Sequence, residues 1–385
     1  MSNDPSSQPA EEPGRQLPKA FRTFQSLVVP SYRNFSIAMF LYFAAMQMIT
    51  LIRPILAFDL SIDEAGVRSF WAFGITVAGN HLPSLVLSPY AGALADRMSM
   101  RIILQWCALA MAVSVGVLAV GVIMGFLEWW HVAIVSVMQG VVMTFITPTR
   151  RAIISELVPK SYLLNAVSLN TMNLNVNRVL MPAVAGFISD WFGIQWSLWL
   201  IGGVFIGALV LMFTVPLGYK EASAKTRSMA GAMGDGFRYA LKESRIRNLL
   251  IIGFMATVFG QPLQHLLPMF QDVLLISDGQ IGLLFTAMGI GALLGSSASA
   301  SLGDYQKKGV LLVGFFMVLG VSILVFSFSN IYWLSLFLML PLGFGHSGRT
   351  AVHLAALQSY TDPAMRGRVM ALNNMQGGLM PVAII

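Results

Sequence analysis

Residues 219–247, YKEASAKTRSMAGAMGDGFRYALKESRIR, are a polar island between two long hydrophobic stretches. Ten of these residues are charged: Lys220, Glu221, Lys225, Arg227, Asp235, Arg238, Lys242, Glu243, Arg245 and Arg247. On either side charges are sparse, and apolar segments of about 20 residues or more follow one another, each long enough to cross a bilayer. The island therefore reads as the linker between two membrane-embedded halves. The expected division is an N-terminal tail (1–33), a first bundle (34–216), the linker (217–247) and a second bundle (248–385).

Composition points the same way. Hydrophobic residues make up 56% of the 385, charged residues only 11%, and mean hydropathy is +0.72. Soluble domains carry about 25% charged residues. The net charge of +7 could suggest a nucleic-acid partner, but the basic residues fall in short gaps between apolar runs and make no continuous surface, which excludes that partner. Cys107, the single cysteine, lies inside an apolar run and reads as a buried, inert thiol. The first 30 residues are polar and proline-rich, with no early apolar core of a cleaved signal; they read as a cytosolic tail, amphipathic around Phe21–Val29.

Spanning segments fall at roughly 34–57, 69–94, 101–126, 129–152, 166–190 and 194–216, then roughly 248–271, 279–302, 309–329, 331–354 and from about 368 onward. With the N-terminus inside, every even gap is basic: Arg97 and Arg101, then Arg150, Arg151 and Lys160, the linker, Lys307 with Lys308, and Arg366 with Arg368. The odd gaps are mostly acidic, with Asp59, Asp63, Glu64, Glu128, Asp190, Asp272 and Asp278. Basic loops stay cytoplasmic, so the whole series fixes one orientation in a cell inner membrane. The sequence stops within segment eleven, and an even number of helices is the natural completion; twelve are expected, the twelfth beyond Ile385.

Two loops recur. GALADRMSMR (92–101) is echoed by ASLGDYQKKG (300–309), with Asp96 and Asp304 208 residues apart. SLNTMN (168–173) is echoed by ALNNMQ (371–376), 203 residues on. Two echoes at nearly one offset predict a duplicated six-helix unit, with parallel halves related by an axis along the membrane normal.

The same residues carry a family resemblance over residues 34–385. Gly92, Asp96, Arg97 and Arg101 resemble the loop signature of the major facilitator superfamily, with Ser99 and Met100 as departures. Pro159, Asn165, Ala166 and the spacing Arg178-x-x-x-Pro182-x-x-x-Gly186 resemble the enterobactin-exporter and macrolide-efflux branch, with Met181 replacing a usual glycine. Arg366-Gly367-Arg368-Val369 is similar to that branch's loop before helix eleven. The resemblance implies an all-α fold of two pseudo-symmetric bundles. It also implies a cytoplasmic gate built on Gly92, Asp96, Arg97 and Arg101, with Asp304, Lys307 and Lys308 as the weaker counterpart. Glu156, Arg366 and Arg368 are candidate members of that gate.

Several polar residues lie inside predicted spans, where an unsatisfied group is costly. Asn170, Asn173 and Asn177 share one face of segment five, next to Arg178; they either line a central cavity or bind a neighbouring helix. Arg53 in segment one could snorkel, pair with Asp59 or hold an anionic group of a substrate. His81 in segment two is a structural hydrogen-bonder or a proton carrier. In the second half, Gln261, Gln264 and His265 surround the helix-breaking Pro262. His346, Arg349 and His353 share a face of segment ten, placed for either the inner gate or the substrate site.

No aspartate or glutamate lies near the middle of any predicted span, which weakens the proton antiport that the resemblance suggests. There is no phosphate-binding Gly-x-x-x-x-Gly-Lys-Ser/Thr loop and no metal-ligand or catalytic constellation. Neither enzyme activity nor a cofactor or metal is expected. The reading is a monomeric secondary transporter, in contact with lipid, that exports an amphipathic small molecule of siderophore or drug type by alternating access, with protons as the candidate coupling ion. Uptake or lipid movement on the same fold is the alternative within transport, and a non-transporting receptor or scaffold the alternative outside it.

Overall fold

The structure, a computed structural model, describes residues 19–62, 69–87, 99–215, 229–260, 262–302, 305, 307–363 and 365–376. Gly92, Asp96, Arg97, Gln261 and Asp304 lie outside the described residues, and so do residues 92–98, 303, 304 and 306 of the first repeated loop, whereas the second repeated pair, 168–173 and 371–376, lies in helices.

The first bundle consists of α1 (Pro30–Asp59), α2 (Phe70–Gly79), α3 (Met100–Met124), α4 (Trp129–Leu157), α5 (Leu163–Phe192) and α6 (Ile194–Phe213). Then come α7 (Met229–Lys242) in the linker, α8 (Ser244–Gly260), and the short α9 (Pro262–Leu266) and α10 (Gln271–Leu274) around a 3-10 turn at Leu267–Phe270. The second bundle continues with α11 (Asp278–Ser301), α12 (Lys308–Ser327), α13 (Tyr332–Tyr360) and α14 (Arg366–Gln376). Hydrocarbon offers no partners for backbone N–H and C=O groups, so apolar runs of this length must satisfy them internally, and a helix does so along its whole length.

Two boundaries differ from the sequence expectation. α1 starts at Pro30, inside the expected tail, because a proline at the first helical position needs no N–H partner and has its φ already set. The linker holds the helix α7, and α8 begins at Ser244, four residues before the expected start of the second bundle.

Seven helical spans among the described residues are long and apolar enough to cross a membrane. α5 and α13 are equally long, 30 and 29 residues, but carry the polar residues noted above and fall outside that set. Local chemistry fixes the ends. Gly125 (φ 71°) stops α3 and Gly193 (φ 94°) separates α5 from α6, both in backbone conformations that a side chain disfavours. Ser277 and Gln280 cap the start of α11 reciprocally. Exposed tryptophans 71, 130, 191 and 196 lie at the acidic-loop ends of their helices, and Trp333 at the same side of α13, as an interfacial aromatic belt does.

α1 is buried all round and packs against α5 and α6. In the second half α11 packs on α13, where Cβ atoms at Gly291 and Gly343 would lie 2.0 Å from the carbonyl oxygens of Leu340 and Met288. Close packing of backbones replaces a hydrophobic driving force between helices in lipid. The two bundles meet chiefly along α5 and α11.

Candidate functional site

The seam between the halves is tightest at its outer end. Asp190, in the last turn of α5, accepts hydrogen bonds from the Ser277 hydroxyl (2.7 Å) and the Gly279 backbone N–H (3.0 Å). It thus serves the exposed N–H groups that begin a helix of the other half, where a negative charge also favours the helix dipole. Beside it the Ser189 hydroxyl donates to Asp278 Oδ2 (2.5 Å), and Gln271 Nε2 donates to the other oxygen of that carboxylate (3.2 Å). Deeper along the seam, Thr286 donates to the Val179 carbonyl (2.6 Å). Gly186 and Gly282 permit this approach: a Cβ at 186 would be 2.4 Å from the Asp278 carbonyl oxygen, and one at 282 would be 2.8 Å from Ala183 Cα. Toward the cytoplasmic ends, Val167, Ser168, Thr171, Met172, Asn175 and Val176 of α5 border a cavity of about 460 Å³, with Leu293 of α11 on its far wall.

Arg53 is buried to 1% exposure. It neither snorkels to the outer interface nor pairs with Asp59: Nη1 donates to Gln139 Oε1 of α4 at 2.6 Å, while Nε and Nη2 have no hydrogen-bond partner. Next to Gln139, Gly140 lets the Asn80 carbonyl of the α2 break come within 2.3 Å of where a Cβ would stand. That contact brings His81 to the Arg53–Gln139 pair. From the other half, His265 of α9 meets His81 edge to face, ring centroids 5.3 Å apart, and the Arg53 charge acts on both rings. The 3-10 turn of Leu267–Phe270, which directly follows α9 and packs on α1, positions His265 there.

The asparagines of α5 divide from Arg178. Asn173 Nδ2 donates to the Ser36 hydroxyl (3.1 Å) and carbonyl, and Asn177 Nδ2 donates to the Phe40 carbonyl (3.3 Å) and to the Asn173 carbonyl (2.8 Å). These two tie α5 to α1, and Asn170 is buried on the same face. Packing, not cavity lining, accounts for that face. Arg178, about midway along α5, is exposed although it is far from either helix end. Its charge acts across the seam on His346 of α13, which Arg349 of the same helix also faces. Gln264 Nε2 lies 3.5 Å from Met288 Sδ inside the second half.

On α13, Arg349 covers the Phe316 ring at 5.3 Å and donates to Thr350, and His353 Nε2 bonds the Leu249 carbonyl of α8 (2.9 Å). His353 holds two helices of one half together. At the cytoplasmic side, Arg101 donates to the Phe213 carbonyl and lies over its ring, joining the start of α3 to the end of α6. Lys308 donates to Ser359 (3.2 Å), and Arg368 donates to Met365 Sδ (3.3 Å). Lys307, Arg366 and Glu156 lie at that same face, at the ends of α12, α14 and α4. The described residues include no His, Cys, Asp and Glu group able to hold a metal.

Gln139 and the Asp190–Ser277–Asp278 cluster escaped the sequence reading as site residues. A lone glutamine in an apolar span gives no partner, and acids in outer loops read as topology markers. The conjunction of Asp190 with a Ser-x-x-Gln capping pair just ahead of segment eight was the available signal.

The comparisons with known proteins match this architecture. The chain is 23% identical over 329 residues to the multidrug efflux pump Tap of Mycolicibacterium fortuitum, covering 83% of this chain and 80% of that protein. It is 22% identical over 315 residues to macrolide efflux protein A of Enterococcus faecalis, covering 79% and 94%. It is 23% identical over 237 residues to the enterobactin exporter EntS of Escherichia coli, covering 60% and 55%. Among solved structures, the nucleoside transporter NupG superposes with a TM-score of 0.68 at 13% identity, covering 92% of this chain and 89% of that one. A bacterial homologue of the lysosomal transporter Spinster gives 0.66 at 15%, covering 95% and 82%. The Major Facilitator Superfamily model matches residues 35–384. Two helical bundles meeting along a seam, with polar groups held inside spans, are what a multi-pass membrane transporter requires, and this chain belongs to the Major Facilitator Superfamily.

Proposed function

We propose that the protein exports an amphipathic small molecule from the cytoplasm by alternating access, with residues 34–216 and 248–385 as the moving halves. The observation that carries this is the asymmetry of the α5–α11 seam. Its outer end is bonded through Asp190, Ser277 and Gly279, while its cytoplasmic end borders a cavity of about 460 Å³. Substrate would enter from the cytoplasmic side, and release would need the outer bonds to part. The efflux functions of Tap, macrolide efflux protein A and EntS support the outward direction. On the cytoplasmic side, the gate falls to Gly92, Asp96, Arg97 and Arg101 with Asp304, Lys307 and Lys308. Among the described residues no carboxylate lies in the interior of a spanning helix, so proton antiport would run through a seam histidine or a carboxylate at the cavity mouth.

A crosslink tests the mechanism. In a Cys107→Ala background, Asp190→Cys and Ser277→Cys place thiols on the two sides of the outer contact. With the pair oxidised, efflux of a lipophilic fluorescent dye from proteoliposomes stops, and a reductant restores it. Undiminished efflux through the oxidised protein would remove outer opening from the cycle.

A further inference from the structure

The transport reading leaves unused the sign of the charges inside the protein. Among the described residues, the aspartates and glutamates all fall in loops, the linker or the end turns of spanning helices. Arg53, Arg178 and Arg349 lie within spanning helices. A cation in a low-dielectric interior is costly unless an anion, a dipole or water answers it.

Arg53 is the sharpest instance. Its guanidinium is 1% exposed and bonded to a neutral glutamine, and two of its three nitrogens have no partner. The planar fork presents paired donors that match an oxyanion bidentately. His81 and His265, one from each half, meet edge to face where its charge reaches both rings, and His81 Nε2 also has no partner. Arg349 Nε, deeper in the second half, is a further buried donor without one. Among the described residues the charges within the spans are all positive, and a path lined by positive charge repels a cation, is indifferent to a neutral compound and attracts an anion.

We propose that the transported molecule is an organic anion, and that Arg53, beside His81 and His265, receives its carboxylate or an equivalent oxyanion at the seam. The proposal rests on the transport reading above and supplies its substrate class. Because the two imidazoles come from opposite halves, a bound oxyanion would hold the halves together at this level, and its release would accompany their parting.

The test compares 1-naphthylacetate with its neutral counterpart 1-naphthylacetamide, and both with sodium phosphate, by thermal stabilisation of the purified full chain. Charge-assisted hydrogen bonds contribute about 1.5–3 kcal/mol, so the carboxylate should bind about tenfold tighter than the amide or better. That preference should vanish in Arg53→Gln and persist in Arg247→Gln, a linker control. Equal stabilisation by acid and amide, or by neither, overturns the proposal. So does protection by phosphate equal to that by the naphthyl acid, which would make this a site for free inorganic anion. If Arg53→Gln fails to fold, the wild-type acid-to-amide ratio decides, with His265→Ala as the second variant expected to lower it. Protein-dependent flux in proteoliposomes separates the two claims. Amide flux with no acid preference leaves transport standing and removes the anion site, whereas acid-selective binding without any flux does the reverse.

Discussion

Gly282→Ala should open the outer end of the protein without unfolding it. The added methyl would stand 2.8 Å from Ala183 Cα and from the Pro182 carbonyl oxygen, and 3.1 Å from Ala183 N. All three neighbours are backbone atoms, so no rotamer change relieves the contact. Restoring ordinary separations needs α5 and α11 to move apart by roughly 0.6–1.2 Å, and overpacking of this kind costs about 1–3 kcal/mol. The cost falls only on the state in which the two helices touch at this level. At 1.4 kcal/mol per factor of ten, the open fraction should rise about 5- to 150-fold.

Cysteine accessibility reads this directly. Ser189→Cys in a Cys107→Ala background puts a thiol at a position 6% exposed in the closed contact. The lost hydroxyl bond to Asp278 is common to both arms of the comparison. An impermeant maleimide added outside intact cells should label the Gly282→Ala protein faster by the factor above. Gly343→Ala is the control, because its methyl would meet the Met288 carbonyl oxygen at 2.0 Å within one half. That variant should lose thermal stability with unchanged labelling. Should Gly282→Ala behave like Gly343→Ala, the α5–α11 contact is ordinary packing and not a gate.

Asp190→Ala removes the acceptor for Ser277 and Gly279 and should likewise speed outer labelling, whereas Ser277→Ala, which leaves the Gly279 N–H bond in place, should do so less. Asn173→Ala and Asn177→Ala each break a tie between α5 and α1 and should cost about 0.6–1.7 kcal/mol in thermal unfolding while flux per folded molecule is kept. Gln139→Leu deprives the buried Arg53 guanidinium of its one bonded partner and should cost about 1–3 kcal/mol, a loss that Gln139→Glu recovers. Arg178→Gln should lower substrate flux at least about tenfold with little change in melting temperature, since its side chain is exposed at mid-span and holds no neighbouring helix; unchanged flux would take Arg178 out of the path.

The fold was legible because it follows from composition along the chain. Apolar runs of spanning length and basic residues in every even gap are one-dimensional signals with direct physical meaning. The site was legible only in part, because a sequence gives the face of a helix but not the neighbour it meets. The spacing of Asn173 and Asn177 put both on one side of α5, yet whether that side met water or α1 depended on the Ser36 and Phe40 carbonyls, 137 residues away. Arg53 is the stronger case. Its partner Gln139 is 86 residues on, in a different helix, and nothing local distinguishes a glutamine that waits for an arginine from one that faces a cavity.

The same distinction explains why α5 and α13 are the least apolar of the long helices. Lipid tolerates no unsatisfied polar group, so each such residue must be bonded within the protein or face water. Asn173 and His353 meet the first condition by bonding carbonyls of α1 and α8 inside their own halves, and Asn177 meets it through Nδ2 alone, its Oδ1 having no partner. Arg178, exposed at mid-span with its charge acting on His346 of the other half, can meet the second at the seam. The guanidinium of Arg53 meets neither fully, since it is buried with donors to spare. A residue kept in that condition at the seam, beside a histidine from each half, carries a cost in the empty protein that an arriving anion would offset. The uncompensated charge is therefore the place where binding free energy and the position of the two halves are coupled.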